Sequence, residues 1–215
     1  MSSWQTDLLA SLTDALPCAR IDPYGSVTDP ALLDGWSDLD IVITSREDFA
    51  IEEAVQGRFW AFQSTIDADA RVVRAVLTDG RRIDLTIHGA DGKLPSPPID
   101  NDVRFDAALA AVRFGRGSHL IGLHLTLGVI REALVHRMVA ADQAVGKAHH
   151  RSRTRYDADA TRALEVLGES LGPQTALDAY ELYGVWRSAT EPAYSADPVG
   201  LEAVIDRGRR GSRPV

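Results

Sequence analysis

The sequence is poor in several residue types, and each shortage excludes a class of protein. Cys18 is the only cysteine among 215 residues, which rules out an intramolecular disulfide and a cysteine-based zinc site. Only Lys93 and Lys147 are lysines, and the net charge is -8, so a broadly basic surface for nucleic acid is not expected. The N-terminus lacks a basic segment followed by an apolar core, and no apolar run is long enough to cross a membrane. We therefore expect a cytoplasmic protein without a membrane partner.

The remaining composition is that of a folded protein with more than one part. With 45% hydrophobic residues the chain can bury a core, and its length suits one large or two small domains. Residues 88–101, HGADGKLPSPPIDN, are rich in proline, glycine and aspartate and mark a linker. We predict an α+β protein with one domain in residues 1–95, containing the strands, and a helical domain in residues 96–215.

Hydrophobic spacing predicts where the helices and strands lie. The first helix should pack on a sheet and begin at Ser2 or Ser3, since serine is a preferred N-cap. The predicted helices are the segment that ends before Pro17 and residues 46–55, 103–114, 118–145, 157–171, 174–188 and 199–207. The predicted strands are residues 19–24, 38–43, 59–66, 71–77 and 82–87.

Two acidic residues stand at the start of one predicted strand. Asp38 and Asp40 precede the apolar run Ile41-Val42-Ile43. Because residues two apart in a strand point to the same face, the two carboxylates should lie side by side while Leu39 points into a core. Like charges held this close need a counter-charge, and hard cations such as Mg²⁺ take oxygen ligands. An exposed pair of acids at the edge of a sheet is the alternative for this motif taken alone.

A third acid lies inside another predicted strand, in Arg82-Ile83-Asp84-Leu85-Thr86-Ile87. Aspartate is depleted in strands and is rarely buried without a partner, so Asp84 favours a metal site over an incidental acidic edge. Asp79-Gly80 lies between this run and the apolar run 71–77, which predicts a β-hairpin.

These motifs together resemble a known superfamily. Tyr24 to Ile43 reads YGSVTDPALLDGWSDLDIVI, and DGRRIDLTI follows about forty residues later. The pair resembles the polymerase-β-type nucleotidyltransferases, in particular aminoglycoside 6-adenylyltransferases and lincosamide nucleotidyltransferase-like enzymes. The resemblance covers residues 20–90 and extends to the helical part only in outline. It implies an α+β fold in which a small mixed sheet with flanking helices precedes an α-helical bundle.

The resemblance also implies a reaction and its metal ligands. The enzymes of this superfamily transfer a nucleoside monophosphate from a nucleotide triphosphate to a hydroxyl, and we expect ATP as the nucleotide. Asp38, Asp40 and Asp84 are then the catalytic residues and the ligands of two Mg²⁺ ions. The strand of Asp84 should lie next to the strand of the other two acids. A further catalytic base is left open: Glu132 is a candidate, although a pairing along its own helix is favoured for that residue.

The nucleotide phosphates need their own binding groups. Gly25 would let the backbone approach phosphate without a clash from a Cβ atom, and Ser26 offers a hydroxyl and an N–H. Lys147, in the basic segment GKAHHRSR, either contributes a cation to the triphosphate or complements the end of its helix.

The acceptor is the least determined partner. A small hydroxylated molecule, an aminoglycoside or lincosamide antibiotic, is the favoured acceptor. One alternative is a toxin-like enzyme that modifies a protein or a tRNA, which the basic residues near 147–155 favour slightly. Another is a nucleotide-sensing module without catalysis, against which the three acids count. The hydroxyl modified, the nucleotide preference and the oligomeric state stay open.

Overall fold

The structure is a computed structural model that describes residues 3–29, 31–67, 69–168 and 170–211. Its α-helices are α1 Trp4–Ala15, α2 Ile51–Ala54, α3 Asn101–Gly115, α4 His119–Val145, α5 Asp159–Glu165, α6 Pro173–Ser188 and α7 Val199–Gly211. Its strands are β1 Arg20–Tyr24, β2 Leu39–Thr44, β3 Phe49–Ala50, β4 Phe59–Asp67, β5 Ala70–Leu77, β6 Arg82–His88 and β7 Gly92–Lys93. This content confirms the predicted α+β class.

Five of the strands form one mixed sheet in the order β1-β2-β6-β5-β4. The central pair, β2 and β6, is parallel, whereas the other neighbours are antiparallel. The predicted hairpin is present as β5 and β6, and Gly80 in its turn has a φ of 80°, a conformation that glycine adopts without strain. The sheet therefore places the strand of Asp84 beside the strand of Asp40, as expected.

One face of this sheet carries the hydrophobic core of the first unit. Alternate residues of β2 and β6 point to this face and are almost fully buried. Helices α1 and α2 cover them with their own apolar side chains. The cluster includes Leu8, Leu12, Leu39, Ile41, Ile43, Ile51, Val55, Val73, Leu77, Ile83, Leu85 and Ile87.

The first helix follows its prediction. Ser3 is the N-cap of α1, and its hydroxyl accepts a hydrogen bond from the backbone N–H of Thr6 at 3.3 Å. Ser2, the alternative cap, lies outside the described residues.

The predicted surface helix over residues 46–55 is wrong in most of its length. Phe49 and Ala50 form β3, which pairs in parallel with Gly92 and Lys93 of β7, and only Ile51–Ala54 is helical. The backbone of this segment thus forms hydrogen bonds with a strand some forty residues later in the sequence. Local periodicity does not reveal such a pairing. The predicted linker, residues 88–101, contains that partner.

The chain divides into two compact units, Met1–Phe105 with Asp206–Val215 and Asp106–Ile205. The division falls later than the predicted boundary between 95 and 96, because the first turn of α3 is bonded to the sheet. The side chain of Asn101 accepts from the backbone N–H of Phe62 at 2.9 Å and donates to its carbonyl at 2.7 Å.

The C-terminal end of α7 belongs to the first unit as well. A Cβ atom at Gly208 would overlap the ring of Trp36, and one at Gly35 would overlap the carbonyl of Gly208. These glycines let the helix approach the loop that leads into β2. Trp36 is therefore a buried packing residue.

The described residues of the second unit, 106–168 and 170–205, form helices and the turns and loops between them, without a strand. Helix α4 packs along α6, which begins at Pro173, a residue suited to the first turn of a helix. In place of the predicted helix over residues 157–171 there is a 3-10 turn, Arg155–Ala158, followed by α5. In the described part of the chain, no helix has the length and apolar character that crossing a membrane would require.

Candidate functional site

One row of polar side chains crosses all five strands of the large sheet. Tyr24 of β1 is paired with Asp40 of β2, and Asp40 is paired with Asp84 of β6. Asp84 is paired in turn with Arg74 of β5, and Arg74 with Gln63 of β4. Because residues paired across neighbouring strands point to the same face, these five side chains lie side by side. We call them the polar row.

The polar row lies on the face of the sheet opposite the core. Asp40 is flanked by Leu39 and Ile41, and both of these neighbours are fully buried. The same alternation runs through β6, where Asp84 and Thr86 are partly exposed between buried residues. The sequence thus produces two faces with different chemistry from single strands.

Gly25 brings the backbone that follows β1 directly against the acid of β2. Its φ is 68°, and a Cβ atom at this position would overlap Oδ2 of Asp40. Only glycine fits both the conformation and the space. Ser26 follows as the second residue of the 3-10 helix Gly25–Thr28, which packs against β2. The predicted phosphate-binding pair therefore lies beside Asp40.

Two of the acids are held by arginines. Arg82 donates from Nη2 to Oδ2 of Asp38 at 2.6 Å, and Arg74 donates from Nε to Oδ2 of Asp84 at 2.9 Å. The pairs differ in their exposure to water: the side chain of Arg82 is 8% exposed, whereas that of Arg74 is 61% exposed. We call the first pair the brace, because its arginine is buried, and the second the open pair, because its arginine is exposed; Asp38 and Asp84 are themselves 36% and 19% exposed.

The electrostatics of the row favour a bound cation. Burial raises the pKa of Asp84, and the charge of Asp38 acts in the same direction, against the lowering effect of Arg74. Burial also raises the pKa of Tyr24, with further contributions from Asp84 and Asp40. Both shifts report negative charge that is crowded and partly removed from water.

The three acids are suitable ligands for a divalent cation, but they do not form a three-residue cluster in the described part of the chain. Within residues 3–29, 31–67, 69–168 and 170–211, no three His, Cys, Asp or Glu side chains are grouped so that they could hold a metal ion. Asp40 and Asp84 stand on adjacent strands, which lie about 4.8 Å apart, and together they offer the carboxylates that Mg²⁺ takes alongside substrate phosphates. Asp38 is engaged by Arg82. The set of three metal ligands stays a prediction.

The other predicted residues lie in the second unit. Lys147 is exposed in the 3-10 turn Gly146–His150. Glu132 accepts hydrogen bonds from the neighbouring Arg131 at 3.1 and 2.9 Å. A role for either residue in the reaction stays a prediction.

Sequence reasoning missed three residues at the site. Arg74 and Gln63 belong to the polar row but lie outside the motifs that identified the acids, and Tyr24, which opens the first motif, was given no role. The signal that could have found them is the sheet register. The register places Tyr24, Arg74 and Gln63 in line with Asp40 and Asp84, which the sequence of each strand alone does not show.

No protein-family model matches this chain, and no curated protein matches its sequence. Among solved structures, it is similar to an aminoglycoside 6-adenyltransferase from Bacillus subtilis, with 12% identity, 98% of each chain covered and a TM-score of 0.34. It is also similar to the polymerase core of TRAMP, an RNA surveillance complex, with 14% identity, 84% of this chain and 56% of that chain covered and a TM-score of 0.27. The first carries the name of a family that the sequence motifs resemble. Both TM-scores lie below 0.5, so neither similarity transfers a substrate or a mechanism to this chain.

Proposed function

We propose that the open face of the sheet binds a nucleotide triphosphate with its divalent cation, and that the chain is a nucleotidyltransferase. The observation that supports this most directly is the pairing of Asp40 with Asp84 across β2 and β6, with Gly25 against Asp40. The two carboxylates can bind a cation, and a phosphate attached to that cation can approach the backbone of Gly25, which has no side chain.

In the proposed reaction the oxygen of an acceptor hydroxyl forms a bond to the α-phosphorus of the nucleotide. The bond between that phosphorus and the oxygen bridging to the β-phosphorus breaks, and pyrophosphate leaves. Asp84 accepts the hydroxyl proton directly or through water. Asp40 and Asp84 would hold the cation, Asp38 is the third predicted ligand although Arg82 holds it in this structure, and Gly25 and Ser26 would lie along the phosphates.

Mg²⁺ bound at these carboxylates would neutralise charge on the phosphates and align the attacking and leaving oxygens. The chain's own residues supply the rest of the positioning, which is the main source of rate in phosphoryl-type transfer. The core face of the sheet fixes the strands that carry the acids, so the two carboxylates are held in place by a rigid element.

We propose ATP as the nucleotide, and a small hydroxylated antibiotic, an aminoglycoside or lincosamide, as the acceptor. This choice depends on the resemblance of the two motifs. The net charge of -8 supports a cationic acceptor, since an acidic surface concentrates cations around the protein. A cytoplasmic location, where ATP and Mg²⁺ are supplied, belongs to the same proposal.

The test is transfer of label from α-labelled nucleotide triphosphates to a panel of acceptors. The panel contains aminoglycosides, lincosamides, tRNA and the protein itself, each with Mg²⁺ and with excess EDTA. We expect a labelled antibiotic and an equal amount of pyrophosphate in the presence of Mg²⁺ only. Label on tRNA or on protein instead would favour the toxin-like alternative, and nucleotide binding without any transfer would favour the sensing module. Undiminished transfer in EDTA would refute the metal dependence.

A further inference from the structure

We infer that Arg74 is a phosphate-binding residue that changes its partner when nucleotide binds. In the ligand-free chain it holds Asp84, and in the complex it turns to the triphosphate while Asp84 takes the cation. This inference deepens the proposed function and depends on it.

The position of Arg74 suits this role. It is paired with Asp84 in the sheet register, so its side chain emerges on the open face directly beside Asp84, with Asp40 one strand further along the row. Its Nε donates to Asp84 at 2.9 Å while 61% of its side chain remains open to solvent. A guanidinium group presents five N–H donors in a fork that matches the oxygens of a phosphate.

Charge balance in the row favours the exchange. With Asp84 bound to a cation, the guanidinium of Arg74 would be left beside a second positive charge and without its partner. An anion in the same place removes that conflict. A cation with a triphosphate attached supplies both charges. Its positive charge would lie at Asp40 and Asp84, and its negatively charged phosphate oxygens would lie toward Arg74.

The other arginines near the row are less suited to the exchange. Arg82 also binds an acid, but it is 8% exposed, so its guanidinium braces Asp38 inside the protein. Arg71 lies on the same strand as Arg74, three residues away, and therefore points to the opposite face, where it pairs with Asp91 at 3.0 Å. Arg71 is accordingly a matched control on the same strand.

The exchange predicts two effects of opposite sign for Arg74→Gln. Binding of Mn²⁺ alone should become a few-fold tighter, because Asp84 is no longer occupied by arginine. Binding of an α,β-methylene ATP analogue with Mg²⁺ should become weaker by about 10- to 100-fold, the size of a lost charge-assisted hydrogen bond. AMP, which lacks the β- and γ-phosphates, should lose much less affinity than the ATP analogue.

The experiment measures Mn²⁺ binding by electron paramagnetic resonance and nucleotide binding by calorimetry. It uses the full chain and the variants Arg74→Gln, Arg74→Lys, Arg71→Gln and Asp40→Asn. Arg71→Gln should bind both ligands like the parent, and Arg74→Lys should recover part of the nucleotide affinity. Melting temperatures without ligand that stay within about 4 °C of the parent exclude general damage, since loss of the pair with Asp84 alone accounts for a shift of that size.

The outcomes separate the inference from the function on which it depends. If the parent binds the ATP analogue, Asp40→Asn does not, and Arg74→Gln binds like the parent, the inference is wrong and the proposed function stands. If Arg74→Gln weakens Mn²⁺ and nucleotide binding together, Arg74 supports the structure of the site and the exchange is refuted. If the parent binds no nucleotide, the proposed function and the inference fail together.

Discussion

The two faces of the large sheet come from the same strands, yet one is apolar and buried and the other is polar and partly exposed. On one face Ile41 and Leu85 are fully buried under α1 and α2. On the other, Asp40 and Asp84 stand one residue away from them among polar neighbours. Alternate positions of β2 and β6 thus face the core and the proposed site. Substitutions at neighbouring residues should therefore have separable effects, one on folding and the other on activity.

The largest expected effect is on the open face. Asp40→Asn and Asp84→Asn keep the shape of the side chain and remove the charge that binds the cation. We expect transfer to fall by at least about 10²-fold, the size of effect seen when a charge-stabilising group is lost from an active site. The stability of the ligand-free Asp40→Asn chain should hold or rise, because repulsion between like charges is relieved. For Asp84→Asn, loss of the exposed pair with Arg74 should cost less than about 1 kcal/mol.

The measurements are the initial rate of transfer and urea unfolding of the same preparations. If each variant loses activity only in proportion to its loss of folded protein, the acids are structural and the comparison between the faces fails.

The core face should show the reverse pattern. Leu85→Ala and Ile41→Ala remove fully buried side chains from the cluster under the sheet. We expect each to lower the free energy of unfolding by about 2–5 kcal/mol, from lost burial and the cavity left behind. Transfer per folded molecule should stay near that of the parent, as measured below the unfolding transition. A Leu85→Ala chain that unfolds like the parent would contradict the assigned core.

The two arginine pairs should separate in stability. Arg82→Gln breaks a pair in which the arginine is almost buried, and we expect a loss of about 1–3 kcal/mol, since Asp38 is still 36% exposed and can be hydrated. Arg74→Gln breaks an exposed pair and should cost less than about 1 kcal/mol. Chemical denaturation of both variants checks this order, and equal losses would remove the distinction between brace and open pair.

Gly25→Ala tests the contact between the loop after β1 and Asp40. A left-handed conformation costs a residue with a Cβ atom about 1–2 kcal/mol. Gly117→Ala is the matched control, because Gly117 has a φ of 73° and nothing within 4 Å of an added Cβ atom. Both variants should pay for the conformation, but only Gly25→Ala should displace Asp40 and weaken binding of Mg²⁺ with nucleotide. Equal binding of nucleotide by the two variants would show that the contact of Gly25 with Asp40 has no functional role.

The acids could be predicted from the sequence because their signals are local. Asp40 stands between apolar residues of its strand, and Asp84 does the same after the Asp79-Gly80 turn. The position of each acid therefore indicates which face of its strand is open to solvent. That the two strands are neighbours followed from the resemblance to a superfamily, since a parallel pairing of segments forty residues apart has no local signal.

Arg74 was not predictable because its position depends on the length of the hairpin loop. A two-residue loop at Asp79-Gly80 would pair Arg74 with Leu85 and turn it toward the core. The structure instead pairs Leu77 with Arg81 around a three-residue loop, with the backbone N–H of Leu77 donating to Arg81 at 2.8 Å. This shift by one residue brings Arg74 opposite Asp84.

The ion pair that engages Asp38 could not be predicted for a different reason. Asp38 and Arg82 are 44 residues apart in sequence, so their ion pair is a product of the tertiary fold. The motif shows which carboxylates are present, but it does not show which cation each carboxylate binds in the folded chain. The same limit applies to Asp84, whose partner comes from the neighbouring strand.

The most direct measurement of the cation and nucleotide site is the stabilisation that ligand gives to the folded chain. Thermal melts of the parent and of Asp40→Asn are compared with an α,β-methylene ATP analogue, in Mg²⁺ and in EDTA. At a ligand concentration a hundredfold above its dissociation constant, the parent should gain about 2.7 kcal/mol in Mg²⁺ by mass action. Asp40→Asn should gain much less, and EDTA should remove the gain of the parent. An equal gain in both chains, or a gain that persists in EDTA, would contradict a metal-dependent nucleotide site at the polar row.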